Sequence, residues 1–413
     1  MGTSAHYVKT GLKLLLYYGA DSLAYRLRAL GPVDPRRALF VEMGDSCSSM
    51  DFELVMRELR RRGYEYELVC LHRRGGIGPR YALACVRMSW KAARVRLLFV
   101  RDASMPVGCL PMRSQTSVVQ LWHACGAFKR FGHSSATMLF GPGADEMRRF
   151  PHYGNTTLAT VSSPEVVWAY EEAMGLKGTG AVQALGVSRT DAFFNKDQTD
   201  AWLERAQSVV PQTKDRRVLL YAPTFRGKIT DPEAPDFLDL ELLAKALGDG
   251  WVVLVKHHPL VRERPAIPVA CSGLVFDVSE SLSIEEAMMA SDVCVTDYSS
   301  LVFEWSLLDR PVAFLAPDRD DYDDWRGFYY DYDQMTPGPV FVTTEELADW
   351  VCELPRSFNK DALAEFRQKF MSSCDGHATE RILDAALAEN GAKGDSPLLH
   401  HAALEGGEKS HVG

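Results

Sequence analysis

Val293-Cys-Val-Thr-Asp-Tyr-Ser-Ser-Leu-Val-Phe-Glu304 reads as an apolar strand that runs into a polar turn and then a helix. Val293 to Thr296 supplies the strand, and Ser300 to Leu308 supplies the helix. The same order recurs along the chain. Val218–Ala222 leads to Pro223, Thr224 and Arg226, Val252–Val255 leads to Lys256-His257-His258-Pro259, and Val118–Trp122 leads to His123. Short apolar strands alternating with helical stretches predict a parallel, doubly wound α/β sheet, because parallel strands need crossover helices on its faces. Ligands of open parallel sheets bind beyond the carboxyl ends of the strands, so these polar clusters are expected to line one cleft.

Working outward, the strands and helices fall into two series. Ala38–Val41, Tyr66–Leu71, Arg96–Val100, Ser117–Trp122 and Leu158–Val161 read as strands of the first, with helices over Phe52–Arg62 and Pro164–Met174. After a polar break at Gln212–Arg217, strands over Val218–Ala222, Trp251–Val255, Val293–Thr296 and Val312–Leu315 alternate with helices over Leu240–Leu247, Ile284–Met289 and Ser300–Leu308. Two such series predict two sheet domains facing across a cleft. The expected division is an amphipathic helix over 1–30, one α/β domain over 31–211 and a second over 212–390, closed by a helix at Glu380–Glu389. A polar, Gly-rich tail over 391–413 is expected to be mobile.

Composition sets the limits. The chain has 413 residues, 46% hydrophobic and 24% charged, which excludes a disordered, collagen-like or small disulfide-stapled protein. Lys plus Arg is 46 against 55 Asp plus Glu, a net charge of −9, which argues against nucleic acid as a partner. An anionic ligand would need cations gathered locally. The nine cysteines are scattered, without a Cys-x-x-Cys pair, so free thiols in a reducing compartment are expected. No apolar run is long enough to span a membrane, and no signal peptide is evident. Tyr7–Leu30 instead patterns as an amphipathic helix with Lys9, Lys13, Arg26 and Arg28 on a basic side. Such a helix can lie on an anionic membrane or pack on its own domain. No P-loop, dinucleotide fingerprint, nucleophile elbow or zinc-ligand spacing is present, and no metal or cofactor is expected.

His123 is a candidate proton acceptor for a hydroxyl nucleophile, or else a structural histidine bonded to a carbonyl. Gly126, Lys129 and Arg130 follow it with a flexible turn and two cations that can receive a phosphate or form a solvated basic face. Lys256, His257 and His258 place donors at a strand end. Adjacent strand residues point oppositely, so only one histidine faces the cleft squarely. Ser300 suits a helix N-cap, and Ser299 and Ser300 extend an anion site there with their hydroxyls. Asp297 can bond a polyol hydroxyl, and Glu304 a ribose diol or simply the first turn of a helix. Arg226 and Arg326 can each fork onto a phosphate or sit in a surface ion pair.

Gln120-Leu-Trp-His-Ala-Cys-Gly-Ala-Phe-Lys129, Tyr221-Ala-Pro-Thr-Phe-Arg-Gly227, Lys256-His-His-Pro259 and Thr296-Asp-Tyr-Ser-Ser-Leu-Val-Phe-Glu304 resemble, in this order, the CDP-glycerol glycerophosphotransferases of teichoic-acid synthesis. Asp318–Tyr322, Arg326–Tyr329 and Pro337-Gly-Pro339 continue the pattern, with a looser match at Gly186–Asp191. The resemblance implies a GT-B fold, with an acceptor-side first domain and a donor-binding second domain. It also implies transfer of glycerol phosphate, or another alditol phosphate such as ribitol phosphate, from a CDP-alditol to a hydroxyl of a lipid-linked acceptor. CMP leaves. His123 would be the base and His258 would contact the diphosphate. Arg226, Lys256, Asp297, Ser299, Ser300, Glu304 and Arg326 fall to the donor side, and Gly126, Lys129 and Arg130 to the acceptor side. A peripheral place on the cytoplasmic face of the cell membrane follows from the lipid acceptor. Ala124 and Cys125 stand where the family has glycine and threonine, and Ser188 where it often has proline. Two other readings are a nucleotide-sugar glycosyltransferase of the same fold and a non-catalytic binder of nucleotide or anionic polymer.

Overall fold

The structure is a computed structural model that describes residues 2–44, 50–72, 76–138, 143–228, 231–319, 322 and 327–388. In its first half β1 (Asp34–Glu42), β2 (Glu65–Cys70), β3 (Val95–Val100), β4 (Ser117–Gln120), β5 (Leu158–Thr160) and β6 (Val182–Gln183) are all parallel, in the order β2-β1-β3-β4-β5-β6. In the second half β7 (Arg217–Tyr221) is followed by an antiparallel hairpin of β8 (Arg226–Lys228) and β9 (Asp231–Glu233). Then come β10 (Trp251–Val255), β11 (Val275–Asp277), β12 (Val293–Thr296), β13 (Val312–Leu315) and β14 (Val340–Phe341). These five and β7, without the hairpin, pair in parallel as β11-β10-β7-β12-β13-β14. The order reverses between β7 and β12, which opens a crevice at their carboxyl ends.

The strands form where both faces can be covered. Every residue of β10 and β12 is buried, as continuous β-branched and apolar runs in a parallel sheet require. Burying each large apolar side chain contributes roughly 1.5–3 kcal/mol before the ordering cost. The sequence reading leaves out the helix Pro79–Ala92, whose buried side is Tyr81, Cys85, Met88, Ser89 and Ala92. A buried stripe with a serine, a cysteine and an alanine in it carries little helical hydrophobic signal. The helix read over Ser300–Leu308 is an α-helix over Leu301–Trp305 and a 3-10 turn over Ser306–Leu308.

The halves share an apolar junction. Phe128 meets Phe303, Phe328 and Tyr332 at ring separations of 6.2, 5.5 and 5.9 Å. The last helix, Ala378–Ala388, crosses back from the second half. Its Ala378, Ile382, Leu383 and Ala386 pack with Phe40, Phe52, Phe99 and Leu158 of the first. The sequence division at 390 groups this helix with the second domain, whereas its apolar face belongs to the first core. The 391–413 tail lies outside the described residues. Seven cysteines are free thiols and Cys70 is disulfide-bonded, which departs from the expectation of free thiols throughout.

Of Tyr7–Leu30, the residues up to Arg28 form one helical stretch, with a π-helical segment over Leu14–Asp21. Leu16, Tyr17 and Tyr25 bury themselves on the first domain, with Tyr17 Oη 3.1 Å from Tyr81 Oη. Lys13 Nζ reaches Glu146 Oε1 at 2.9 Å. The packed alternative therefore holds for one side. The other side stays exposed and apolar: Val8, Leu12, Leu15, Leu23, Leu27 and Leu30, spaced at helical intervals. Among the described residues, no helix is long and apolar enough to cross a membrane.

Asp21, on the packed side, is 0% exposed, and neither carboxylate oxygen has a hydrogen-bond partner. Burial pushes its pKa up to about 7. An acid whose folded pKa is raised holds its proton longer when folded. Its contribution to stability is therefore greatest below the unfolded value near 4 and falls as pH rises toward about 7. Asp21→Asn should remove that dependence and stabilise the protein at pH 8 by about 1–3 kcal/mol. Urea unfolding of both forms between pH 4 and 8 measures this. Parallel stability-versus-pH curves would show that Asp21 contributes nothing to the pH dependence.

Candidate active site

A cavity of about 620 Å³ lies between the carboxyl edges of the two sheets. Its first-half wall is Trp122–Phe131, after β4. Its second-half wall comes from Ala222–Phe225 after β7, Lys256–Leu260 after β10, and Ser299, Ser300, Leu301 and Glu304 after β12. The structure thus brings together His123, Gly126, Lys129, Arg130, Lys256, His258, Ser299, Ser300 and Glu304. Arg226 and Asp297 lie outside that lining, and Arg326 lies outside the described residues.

His123 has 43% of its side chain exposed and sits on a built mount. Its Nδ1 is 2.7 Å from Asp102 Oδ1 and 3.3 Å from the Arg101 carbonyl. Asp102 is half-buried. Burial is the strongest influence on it and raises its pKa, but the His123 hydrogen bond and the His123 and Arg101 charges together hold it below the usual carboxylate range. A carboxylate at Nδ1 keeps the proton there and leaves Nε2 as the basic atom. Trp122 stacks on His123 at 4.4 Å and on Phe131 at 4.5 Å. Its φ of 60° is uncommon for a bulky residue and costs of order 1–3 kcal/mol, held by this stacking and by a hydrogen bond from its N–H to Gln120 Oε1 at 3.0 Å. Gly126 also has φ 60°, and a Cβ there would sit 2.1 Å from the Phe303 ring. The glycine lets the loop after His123 lie flat on the second half.

Cys125 is buried beneath this loop, in side-chain hydrogen-bond contact with Cys374. Its thiol packs inward. Lys129 Nζ is 3.3 Å from Tyr322 Oη, and Arg130 Nε donates to the Phe328 carbonyl at 3.1 Å. Both cations therefore also tie the halves together.

On the facing wall, His258 Nδ1 accepts the Leu260 N–H at 3.2 Å, so the neutral ring carries its proton on Nε2. Its ring lies 5.0 Å from that of Phe225. His257 is 6% exposed, and burial lowers its pKa. His258 is thus the exposed member of the pair, as strand alternation requires. The Lys256 ammonium donates to the carbonyls of Ser279 and Leu282, both at 2.7 Å, and fastens that loop. Burial lowers its pKa. Ser299 Oγ accepts the Leu301 N–H at 3.2 Å, whereas Ser300 sits at the N-cap position without a side-chain cap bond.

Arg226 and Asp297 lie behind the cavity lining and are bonded to each other. Arg226 Nη1 donates to Asp297 Oδ2 at 2.9 Å and to the Thr224 carbonyl at 2.7 Å. Its Nε and Nη2 fork onto Asp318 at 2.6 and 3.1 Å. Burial works against its charge, but Asp297 and Asp318 more than offset this and raise its pKa. Asp297 is 2% exposed and its Oδ1 accepts from Thr224 N, Thr224 Oγ1 and Tyr298 N at 2.8, 2.7 and 2.6 Å. The guanidinium and carboxylate brace the two loops at the crevice. Glu304 lines the cavity but is bonded to Arg189 Nη2, and burial pushes its pKa up to about 7.

Sequence reasoning missed Asp102, Asp318, Tyr298 and Arg189. Asp102 follows β3 as His123 follows β4, so the strand-end rule contained the signal for it. Arg189 lies in a turn, Ser188–Phe194, inside the looser match at Gly186–Asp191, and its role was not read from it.

A cleft between two parallel sheets, with an oriented imidazole on one side and donors on the other, defines a GT-B-like transferase architecture. Residues 23–388 match CDP-glycerol:poly(glycerophosphate) glycerophosphotransferase, and the chain belongs to that family. It is 33% identical over 373 residues to the teichoic acid ribitol-phosphate primase of Bacillus spizizenii strain W23, covering 89% of this chain and 95% of that protein. It is also 33% identical over 367 residues to the teichoic acid poly(ribitol-phosphate) polymerase of the same strain, covering 87% of this chain but spanning 58% of the polymerase. The structure of the wall teichoic acid polymerase TagF superposes with a TM-score of 0.73 at 21% identity, over 95% of this chain and 99% of that one.

If Arg226 is a brace, removing it leaves Asp297 and Asp318 without their cation. Arg226→Met should cost about 3–5 kcal/mol in denaturant unfolding. A fully stable variant with only weakened donor binding would return Arg226 to the ligand.

Proposed function

We propose that this chain transfers an alditol phosphate from a CDP-alditol to a hydroxyl of a lipid-linked acceptor, releasing CMP. The observation that supports it most is the opposition, across one cavity, of His123 mounted on Asp102 and His258 with its Nε2–H fixed. The acceptor hydroxyl gives its proton to His123 Nε2 as its oxygen attacks the alditol-bearing phosphorus. The bond from that phosphorus to the bridging oxygen breaks, and the CMP phosphate leaves with the electron pair. His258 Nε2–H and the Ser299 and Ser300 hydroxyls face that developing charge. Lys129 and Arg130 add positive potential at the acceptor side.

Purified protein incubated with acceptor and CDP-glycerol, CDP-ribitol or a UDP-sugar should release CMP from a CDP-alditol and no nucleoside diphosphate. His123→Ala and His258→Ala should each lower CMP release by about a hundredfold or more with unchanged melting curves. Full turnover in both variants would overturn the assignment, and release of UDP would favour the glycosyltransferase reading.

The exposed apolar side of the N-terminal helix supports a peripheral place on an anionic membrane, with Lys9 and Arg26 also exposed on the same helix. Deleting residues 1–30 would strip Tyr17 and Tyr25 from the core, so surface changes are the better probe. Leu15→Glu with Leu23→Glu and Leu27→Glu should abolish sedimentation with phosphatidylglycerol vesicles and leave soluble-acceptor turnover intact. Equal partitioning of both forms would remove the helix from this role.

A further inference from the structure

A connected set of buried charges joins His123 to the opposite half of the molecule. Asp102, which holds His123, lies with its Oδ2 3.6 Å from Arg101 Nε. Arg101 also meets Glu42 Oε2 at 2.7 Å and Asp51 Oδ2 at 3.0 Å. The other oxygen of Asp51 is 3.4 Å from Arg189 Nη1, and Arg189 Nη2 bonds Glu304 Oε1. Glu42 and Asp51 are 1% and 6% exposed as side chains, Glu304 10% and Arg189 16%. Glu304 stands one turn after Ser300 on the helix that carries the donor-facing hydroxyls. The set thus starts at the candidate base and ends on the donor helix.

Arg189 stands where the chain crosses between the halves. Its turn, Ser188–Phe194, is fastened to the returning segment. Asp191 accepts the N–H groups of Ala378 and Thr379 at 2.9 and 2.7 Å, and Ser188 Oγ is 2.8 Å from Thr379 Oγ1. A guanidinium here has one fork on each half. No other cation among the described ion pairs bridges Asp51 and Glu304.

We propose that Arg189 is a positioning residue for the transfer reaction: it seats the donor helix against the first half and, through Asp51 and Arg101, holds the Asp102–His123 pair in register with the bound donor. This rests on His123 being the base. Asp51 and Glu304 would repel without the cation between them, and the junction would lose the contact that fixes its closure. A misplacement of about 1 Å between base and donor is enough to cost two orders of magnitude in rate. His258, Ser299 and Ser300 lie in the second half and none bonds Arg189, so donor binding is spared.

Arg189→Met and Asp51→Asn test this, each measured for thermal melting, CDP-alditol binding by calorimetry, and CMP release at saturating donor. Both should bind donor within about threefold of the wild type and lose tenfold or more in kcat. Arg189→Lys, which keeps the charge but loses the fork, should leave donor binding unchanged and recover kcat only in part. Wild-type kcat in Asp51→Asn would overturn the proposal, as would donor binding and melting temperature collapsing together in Arg189→Met. His123→Ala is the control for the underlying reading: if it retains turnover while Arg189→Met loses it, the base assignment fails and the coupling has another target.

Discussion

One guanidinium organises the donor half. The β7–β12 crevice exists because the strand order reverses there and the connections leave the paired strands in opposite directions, which alone would leave two loose loops. Arg226 and Asp297 close that gap from within. Asp297 takes two backbone N–H groups and a hydroxyl, and Arg226 ties it to Asp318 and to the loop carbonyl of Thr224. A buried ion pair of this kind is a poor source of net stability, since desolvation consumes most of the attraction. What it supplies is geometry. The loops ending β7 and β12 are held at one spacing, so Ser299 and Ser300 stay opposite His258. The rings of Tyr298 and Tyr322, each 5.1 Å from the guanidinium, fix the plane of that brace.

The two walls are built on different physics. The second wall is braced by Arg226, Asp297 and Asp318 behind the lining, while its lining carries hydroxyls and an imidazole beside Lys256 and Glu304. The first wall holds its imidazole by a carboxylate at one nitrogen and by aromatic stacking on one ring face. This division reconciles a chain of net charge −9 with an anionic substrate class. Most of the acid near the cleft is paired with Arg101, Arg189 or Arg226, leaving Lys129 and Arg130 to set the local potential.

The α/β class, the two sheets and both histidines were legible because parallel strands print as unbroken apolar runs and their carboxyl ends collect polar residues. The rule failed where it had to choose between two uses of one residue type. Arg226, Asp297 and Lys256 stand at strand ends, like the ligand-facing groups, yet their charges are consumed by other loops. Only tertiary partners such as Asp318 and the Leu282 carbonyl decide that, and these lie 92 and 26 residues away along the chain. Asp102 was within reach of the same rule. Arg189 was not, since its meaning comes from Asp51 and Glu304, one on each side of it in sequence and in space. The amphipathic N-terminal helix was read correctly as a pattern, but a pattern shows two faces and not what each covers.

The return of Ala378–Ala388 to the first sheet sets the order in which the protein can mature. During synthesis the first half emerges with Phe40, Phe52, Phe99 and Leu158 still lacking their last cover. That cover arrives only after some two hundred further residues have left the ribosome. The first half is therefore committed to wait, half-finished, for the end of the chain. Dividing the gene between the two sheets would yield a fragment with an open apolar wound, and a partner carrying the missing plug.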